Sequence, residues 1–164
     1  MPKKLSQIVA QDHVVKFLKD ILRNPSKEVP PILISGPSGV GKSAIINAFL
    51  NEYYNTFNIS RPDKAGLFIK IDGASERSSY NLKKLEEHLS RLRELKAKPS
   101  VVIEDVDLLT LEAQHYLANI LKRYKHKGFI FLTTRSLVKV SPILKAQCIT
   151  FNLKKLSVED IKLK

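Results

Sequence analysis

At 164 residues, with 43% hydrophobic and 27% charged residues, the chain is long enough for one well-buried core and lacks the composition of a disordered segment. No apolar run approaches the roughly 20 residues of a membrane span, the start at Met1 lacks the apolar core of a signal peptide, and the single cysteine, Cys148, excludes an internal disulfide and a cysteine-based zinc site. These features predict a soluble intracellular protein, cytoplasmic or nuclear, and the formal net charge of +12 suits a polyanionic partner.

In chain order, Val14, Phe17, Leu18, Ile21 and Leu22 recur at the spacing of one buried helix face, and Asn24, Pro25 and Ser26 end that helix. Pro31-Ile32-Leu33-Ile34-Ser35 reads as a short buried strand. It runs into Gly36-Pro37-Ser38-Gly39-Val40-Gly41-Lys42-Ser43, which fits G-x-x-x-x-G-K-[ST], and residues 44–50 behind it read as a helix. Strand, loop and helix together are the context that a phosphate-binding loop requires. Its glycines let backbone N–H groups turn toward phosphate, and the following helix N-terminus offers unpaired donors to the same anion. Lys42 is expected to reach the β- and γ-phosphates and Ser43 to offer its hydroxyl to Mg²⁺, with Ala44 completing the nucleotide-binding run.

Residues 51–64, rich in Tyr, Asn and Pro, read as a surface connection with an extended piece near Phe57-Asn58-Ile59. Residues 67–72 form the second predicted strand. Gly73-Ala74-Ser75 turns it into a long helix from about Ser79 to Leu95, with Leu82, Leu85, Leu89, Leu92 and Leu95 as its buried stripe and a mixed-charge solvated face. Val101-Val102-Ile103 is a third strand ending in Glu104-Asp105. Paired acids after an apolar strand supply what a nucleotide triphosphatase needs, and Glu104 and Asp105 offer one acid for the Mg²⁺ shell and one to orient the attacking water. Thr110 caps a helix with Ala113, Leu117, Ile120 and Leu121 inward, residues 129–134 form a fourth strand, and residues 148–151 a fifth. The four histidines lack metal-site spacing. Polar groups thus collect at strand ends, the edge where an open parallel sheet binds ligands.

The order of these motifs resembles an AAA+ ATPase, and more narrowly the ATPase module of a DNA polymerase clamp loader of the replication factor C small-subunit type, from about Leu5 to Leu156. The resemblance implies a three-layer α/β fold with a five-stranded parallel sheet flanked by helices, spanning residues 1–156. Residues 157–164 would begin a lid domain or form a tail. Residues 7–14 resemble the family's opening segment, which assigns Val9 and Ala10 to the adenine pocket. Residues 71–77 resemble the strand-to-helix segment near DNA, and the family's inner ring surface at the start of the following helix implies Arg77, Ser78, Lys83 and Lys84 as contacts to the phosphate backbone. Residues 129–134 resemble the sensor 1 strand, between the loop strand and the acidic strand, with Thr134 as γ-phosphate sensor and Thr133 or Arg135 as the alternatives.

Two departures qualify what is implied. The family's usual Asp-Glu is Glu104-Asp105 here, which shortens the water-orienting acid by one methylene, and the family's Ser-Arg-Cys is Ala146-Gln147-Cys148, so Gln147 brings no guanidinium to a neighbour. ATP and Mg²⁺ are the implied cofactors. The implied partners are related ring subunits, a sliding clamp and primer-template DNA, with no membrane. A non-hydrolysing ATP-binding subunit and a small nucleotide kinase are the alternatives, and Gln147 predicts a place at one end of an open ring.

Overall fold

A computed structural model describes residues 3–92 and 96–155. The predicted helix residue Leu95 and the predicted lid or tail, residues 157–164, lie outside the described residues. Strands β1 (Ile32–Ser35), β2 (Phe68–Asp72), β3 (Ser100–Glu104), β4 (Phe129–Thr134) and β5 (Ile149–Asn152) form one parallel sheet in the order β2-β3-β4-β1-β5. The expected place of β4 between β1 and β3 is therefore observed.

Alternation along the strands divides the core into two. Ile32, Ile34, Val102, Phe129 and Phe131 face α1 (Asp12–Arg23) and α2 (Lys42–Asn55). Leu33, Ile71, Val101, Ile103, Ile130 and Leu132 face α3 (Ser78–Arg91) and α4 (Leu111–Tyr124), joined by Leu144 of the short α5 (Pro142–Lys145). Both faces of the sheet are covered, which is why its strands read as continuous apolar runs. Each fully buried Leu, Ile or Phe contributes about 1.5–3 kcal/mol to that packing. Thr110 caps α4 as its sequence predicts, its hydroxyl oxygen accepting from the Ala113 N–H at 3.1 Å.

Two element boundaries differ from expectation. The supposed surface connection begins inside a helix, because α2 continues to Asn55 with Tyr53 and Tyr54 buried, and residues 56–58 form a turn, with no strand at residues 57–59. Tyrosine makes that segment look polar, but here the rings are core. The Tyr54 hydroxyl donates to the Lys98 carbonyl at 2.8 Å and lies 3.0 Å from both Leu67 O and Ser100 Oγ, tying α2 to the starts of β2 and β3. Helix α3 ends at Arg91, with the Leu92 N–H returning to Leu89 O. Its buried stripe is Leu82, Leu85 and Leu89, and Leu92 is half-buried.

Candidate nucleotide site

The carboxyl ends of β1, β3 and β4 meet around a cavity of about 440 Å³ lined by Ser38, Gly39, Gly41, Lys42, Ser43, Ala44, Glu104, Asp105, Thr133 and Arg135. The loop's glycines are needed for different reasons. Gly39 and Gly41 stand at φ +80° and +107°, the left-handed region that side chains disfavour. Gly36 is closed in by packing: a Cβ there would meet Val40 Cγ1 at 2.8 Å and Leu153 Cβ at 3.3 Å. Gly36, Pro37 and Val40 lie outside the cavity lining. Gly36 also donates its N–H to Thr134 O at 3.1 Å, joining the loop to β4.

Lys42, the first residue of α2, folds its ammonium back onto the loop and donates to the Gly36 carbonyl and, at 3.1 Å, to Pro37 O. Desolvation lowers its pKa; Asp105 counters this, Arg135 adds to it, and Asp107 again raises it. The next residue, Ser43, donates its hydroxyl to Glu104 Oε1 at 3.4 Å. One serine hydroxyl and one carboxylate oxygen converge there, both hard ligands. Among the described residues there is no group of three or more His, Cys, Asp or Glu able to hold a metal. That set fits Mg²⁺, which keeps waters and phosphate oxygens in its shell and uses only one or two protein ligands.

The acids are held by backbone. Gly73 N–H donates to Glu104 O at 2.7 Å, and Asp105 turns the chain at φ 54°, ψ 52°, a left-handed conformation that aspartate tolerates better than most residues. The Asp105 N–H donates to Thr133 Oγ1 at 3.1 Å, joining β3 to β4 at the cavity. Two basic side chains then face the two carboxylates. Lys70 Nζ lies 3.2 Å from Glu104 Oε1, and Arg135 Nε lies 3.9 Å from Asp105 Oδ1.

Of the three sensor positions, the geometry brings Thr133 and Arg135 into the cavity. Thr134 has no exposed surface; its hydroxyl donates to Ser136 O at 3.1 Å and accepts from the Ser136 N–H at 3.0 Å. Alternation on a strand sends residues i and i+2 one way and i+1 the other. Motif reading alone misses Lys70, although a lysine inside the apolar run Phe68-Ile69-Lys70-Ile71 is a signal that could find it.

Val9 and Ala10 lie half-buried in the link before α1, outside the lining of the phosphate cavity. Gln11 beside them is buried and donates its side-chain amide to Lys154 O at 2.9 Å, while Leu153 N–H donates to Ser35 O at 2.7 Å. The opening segment is thereby fastened to the chain that borders the loop. Arg77, Lys83 and Lys84 are exposed and Ser78 is half-buried, all at the start of α3. Between them stands Tyr80, 46% exposed, with the Arg77 guanidinium 4.6 Å and the Lys84 ammonium 4.9 Å from its ring centroid, an aromatic that no sequence motif singles out. Gln147 follows α5 and is half-buried. Among the described residues, no helix is long and apolar enough to cross a membrane.

The replication factor C small subunit of Methanosarcina acetivorans is 24% identical over 163 residues, covering 98% of this chain and 46% of the relative. Replication factor C subunit 2 of Saccharomyces cerevisiae is 24% identical over 166 residues, covering 97% and 46%. The chain thus spans about half the length of the curated relatives it matches. In fold it is similar to the RuvB Holliday junction branch migration motor of Thermotoga maritima, with a TM-score of 0.72 at 19% identity, covering 99% of this chain and 51% of that one. A DNA polymerase III gamma subunit-related protein from the same organism gives 0.69 at 20% identity, covering 90% and 48%. The model of the ATPase family associated with various cellular activities matches residues 32–153, from the first residue of β1 to just past β5, and the chain belongs to that AAA family.

Proposed function

We propose that this chain is the ATP-binding module of a clamp-loader-type assembly, which uses ATP and Mg²⁺ in a ring of related subunits to place a sliding clamp on primer-template DNA. The observation that carries the nucleotide reading is the meeting of Lys42, Ser43, Glu104, Asp105, Thr133 and Arg135 around one cavity at the sheet edge. The similarity to replication factor C subunits supports the clamp-loader part.

In this reading the loop N–H groups and the N-terminus of α2 cradle the phosphates, and Lys42 exchanges its loop carbonyls for β- and γ-phosphate oxygens. Ser43 and Glu104 hold Mg²⁺, which supplies neutralisation of phosphate charge when bound. Asp105 orients the attacking water. Thr133 and Arg135, rather than the buried Thr134, reach the γ-phosphate. Val9 and Ala10 border the adenine, and Arg77, Ser78, Lys83 and Lys84 follow the DNA backbone.

The test is ATP hydrolysis by the chain assembled with its partner subunits, with and without clamp and primer-template DNA. Stimulation by both, abolished by Lys42→Ala, is the expected result; an assembly indifferent to clamp and DNA refutes the loading reading. A second reading, an ATP-binding subunit that does not hydrolyse, is favoured by the shorter acid Asp105 and its Arg135 counter-ion. Single-turnover hydrolysis separates the two.

A further inference from the structure

The oxygen expected to meet Mg²⁺ already has a cation beside it. Lys70 lies on β2, the edge strand of the sheet, and its ammonium reaches along β3 to Glu104 Oε1 at 3.2 Å. That same oxygen accepts the Ser43 hydroxyl at 3.4 Å. Strand register explains the reach: Lys70 stands opposite Val102 and Asp72 opposite Glu104, so the lysine starts two residues short of the acid and its stem spans the difference. The pair is asymmetrically exposed, at 54% for Lys70 and 25% for Glu104, so the ammonium comes in from the solvent side. Nothing in the phosphate loop needs this lysine, and Lys42 already supplies the loop's own ammonium.

We propose that Lys70 is a positioning residue that acts through Glu104 as a built-in counter-ion and sets how strongly nucleotide binding depends on Mg²⁺. The proposal rests on the nucleotide reading of the cavity. Without metal, a bare Glu104 carboxylate would face the phosphates and repel them; the Lys70 ammonium neutralises it. With metal, two cations compete for Oε1, and Lys70 must yield. Both effects act in one direction: Lys70 strengthens metal-free nucleotide binding and weakens the advantage that Mg²⁺ adds. A partly exposed ion pair of this kind changes an equilibrium by about twofold to fivefold.

The test measures the ATP dissociation constant by titration calorimetry in excess Mg²⁺ and in excess EDTA, for the wild type, Lys70→Met and Lys70→Arg. The ratio of the EDTA value to the Mg²⁺ value is expected to rise about twofold to fivefold in Lys70→Met and to stay near the wild-type ratio in Lys70→Arg, which keeps the charge. A Glu104→Gln background removes the carboxylate charge, and there Lys70→Met is expected to leave the ratio unchanged. A lysine that merely stiffens the strand edge would not produce that dependence on Glu104. A Lys70→Met ratio equal to or below that of the wild type, with ATP still bound, overturns the counter-ion role and leaves the nucleotide reading standing. Failure of the wild type to bind ATP in either condition overturns the nucleotide reading and this proposal with it.

Discussion

Replacing Lys42 with alanine removes the one ammonium inside the phosphate loop. In the free protein that ammonium is not idle: it donates to the carbonyls of Gly36 and Pro37, and it is partly desolvated, which lowers its pKa. Binding phosphate therefore exchanges two charge-assisted hydrogen bonds for two others, and the exchange is favourable because phosphate oxygens carry full negative charge while carbonyls carry partial charge. Charge-assisted hydrogen bonds contribute about 1.5 to 3 kcal/mol each. With two surrendered as two form, the net cost of the mutation is nearer one such bond than two. That corresponds to roughly tenfold to a hundredfold in the dissociation constant. Titration calorimetry with ATP and Mg²⁺ on the two proteins measures it directly, with thermal unfolding as a control because Lys42 also clasps the loop. Affinities equal within about twofold would refute the reasoning, since the ammonium could then supply no net charge-assisted bond to phosphate.

Gly73→Ala is expected to destabilise the fold by about 2 kcal/mol or more, because the new Cβ would meet Asp105 O at 2.3 Å and Glu104 O at 2.8 Å, backbone atoms that cannot swing aside; urea denaturation checks this, and an unchanged midpoint refutes it. Lys83→Glu with Lys84→Glu should weaken DNA binding by the complete assembly and flatten its logarithmic salt slope by about 0.9 for each duplex phosphate that is no longer neutralised, so an unchanged slope would mean that another surface carries the DNA. Gln147→Arg should leave the DNA-stimulated ATPase of the assembly nearly unchanged if the subunit sits at a ring end; a rise of about tenfold or more, within the range of an arginine finger, would mean that it faces a working site. Alkali should destabilise the protein: burial pushes the Cys148 thiol from 9.0 to about 12 and the Tyr54 phenol from 10.0 to about 12, so above about pH 9 the unfolded chain sheds protons that the native state keeps. Stability is then fully present below the ordinary values and falls away as pH rises toward the shifted ones. The urea midpoint should be lower at pH 10.5 than at pH 8, with a smaller drop in Cys148→Ser; a midpoint that holds or rises would contradict these shifts.

The residues whose role is legible in the chain are those whose chemistry is contiguous. Gly36 to Ser43 are legible as a candidate phosphate loop, because glycine conformation, the helix N-terminus and the lysine all follow from eight neighbouring residues. The strands are legible as apolar runs because helices cover both faces of the sheet, and the acid pair because it follows such a run directly. The end of α2 is not, since Tyr53 and Tyr54 have an apolar body and a polar tip, and only the position of Lys98 and Leu67 shows that their hydroxyls are satisfied inside the core.

The inner arrangement of the site belongs to the tertiary structure. Thr133, Thr134 and Arg135 are consecutive, and no local preference says which of them faces the cavity. The register of β4 against β1 and β3 decides it, turning Thr133 and Arg135 into the cavity and burying Thr134 against its own turn. Lys70 acquires its partner in the same way. Its ammonium finds Glu104 only because β2 and β3, far apart in the chain, lie side by side in a fixed register, and side-chain contacts across strands depend on that pairing rather than on any property of the residues along one strand.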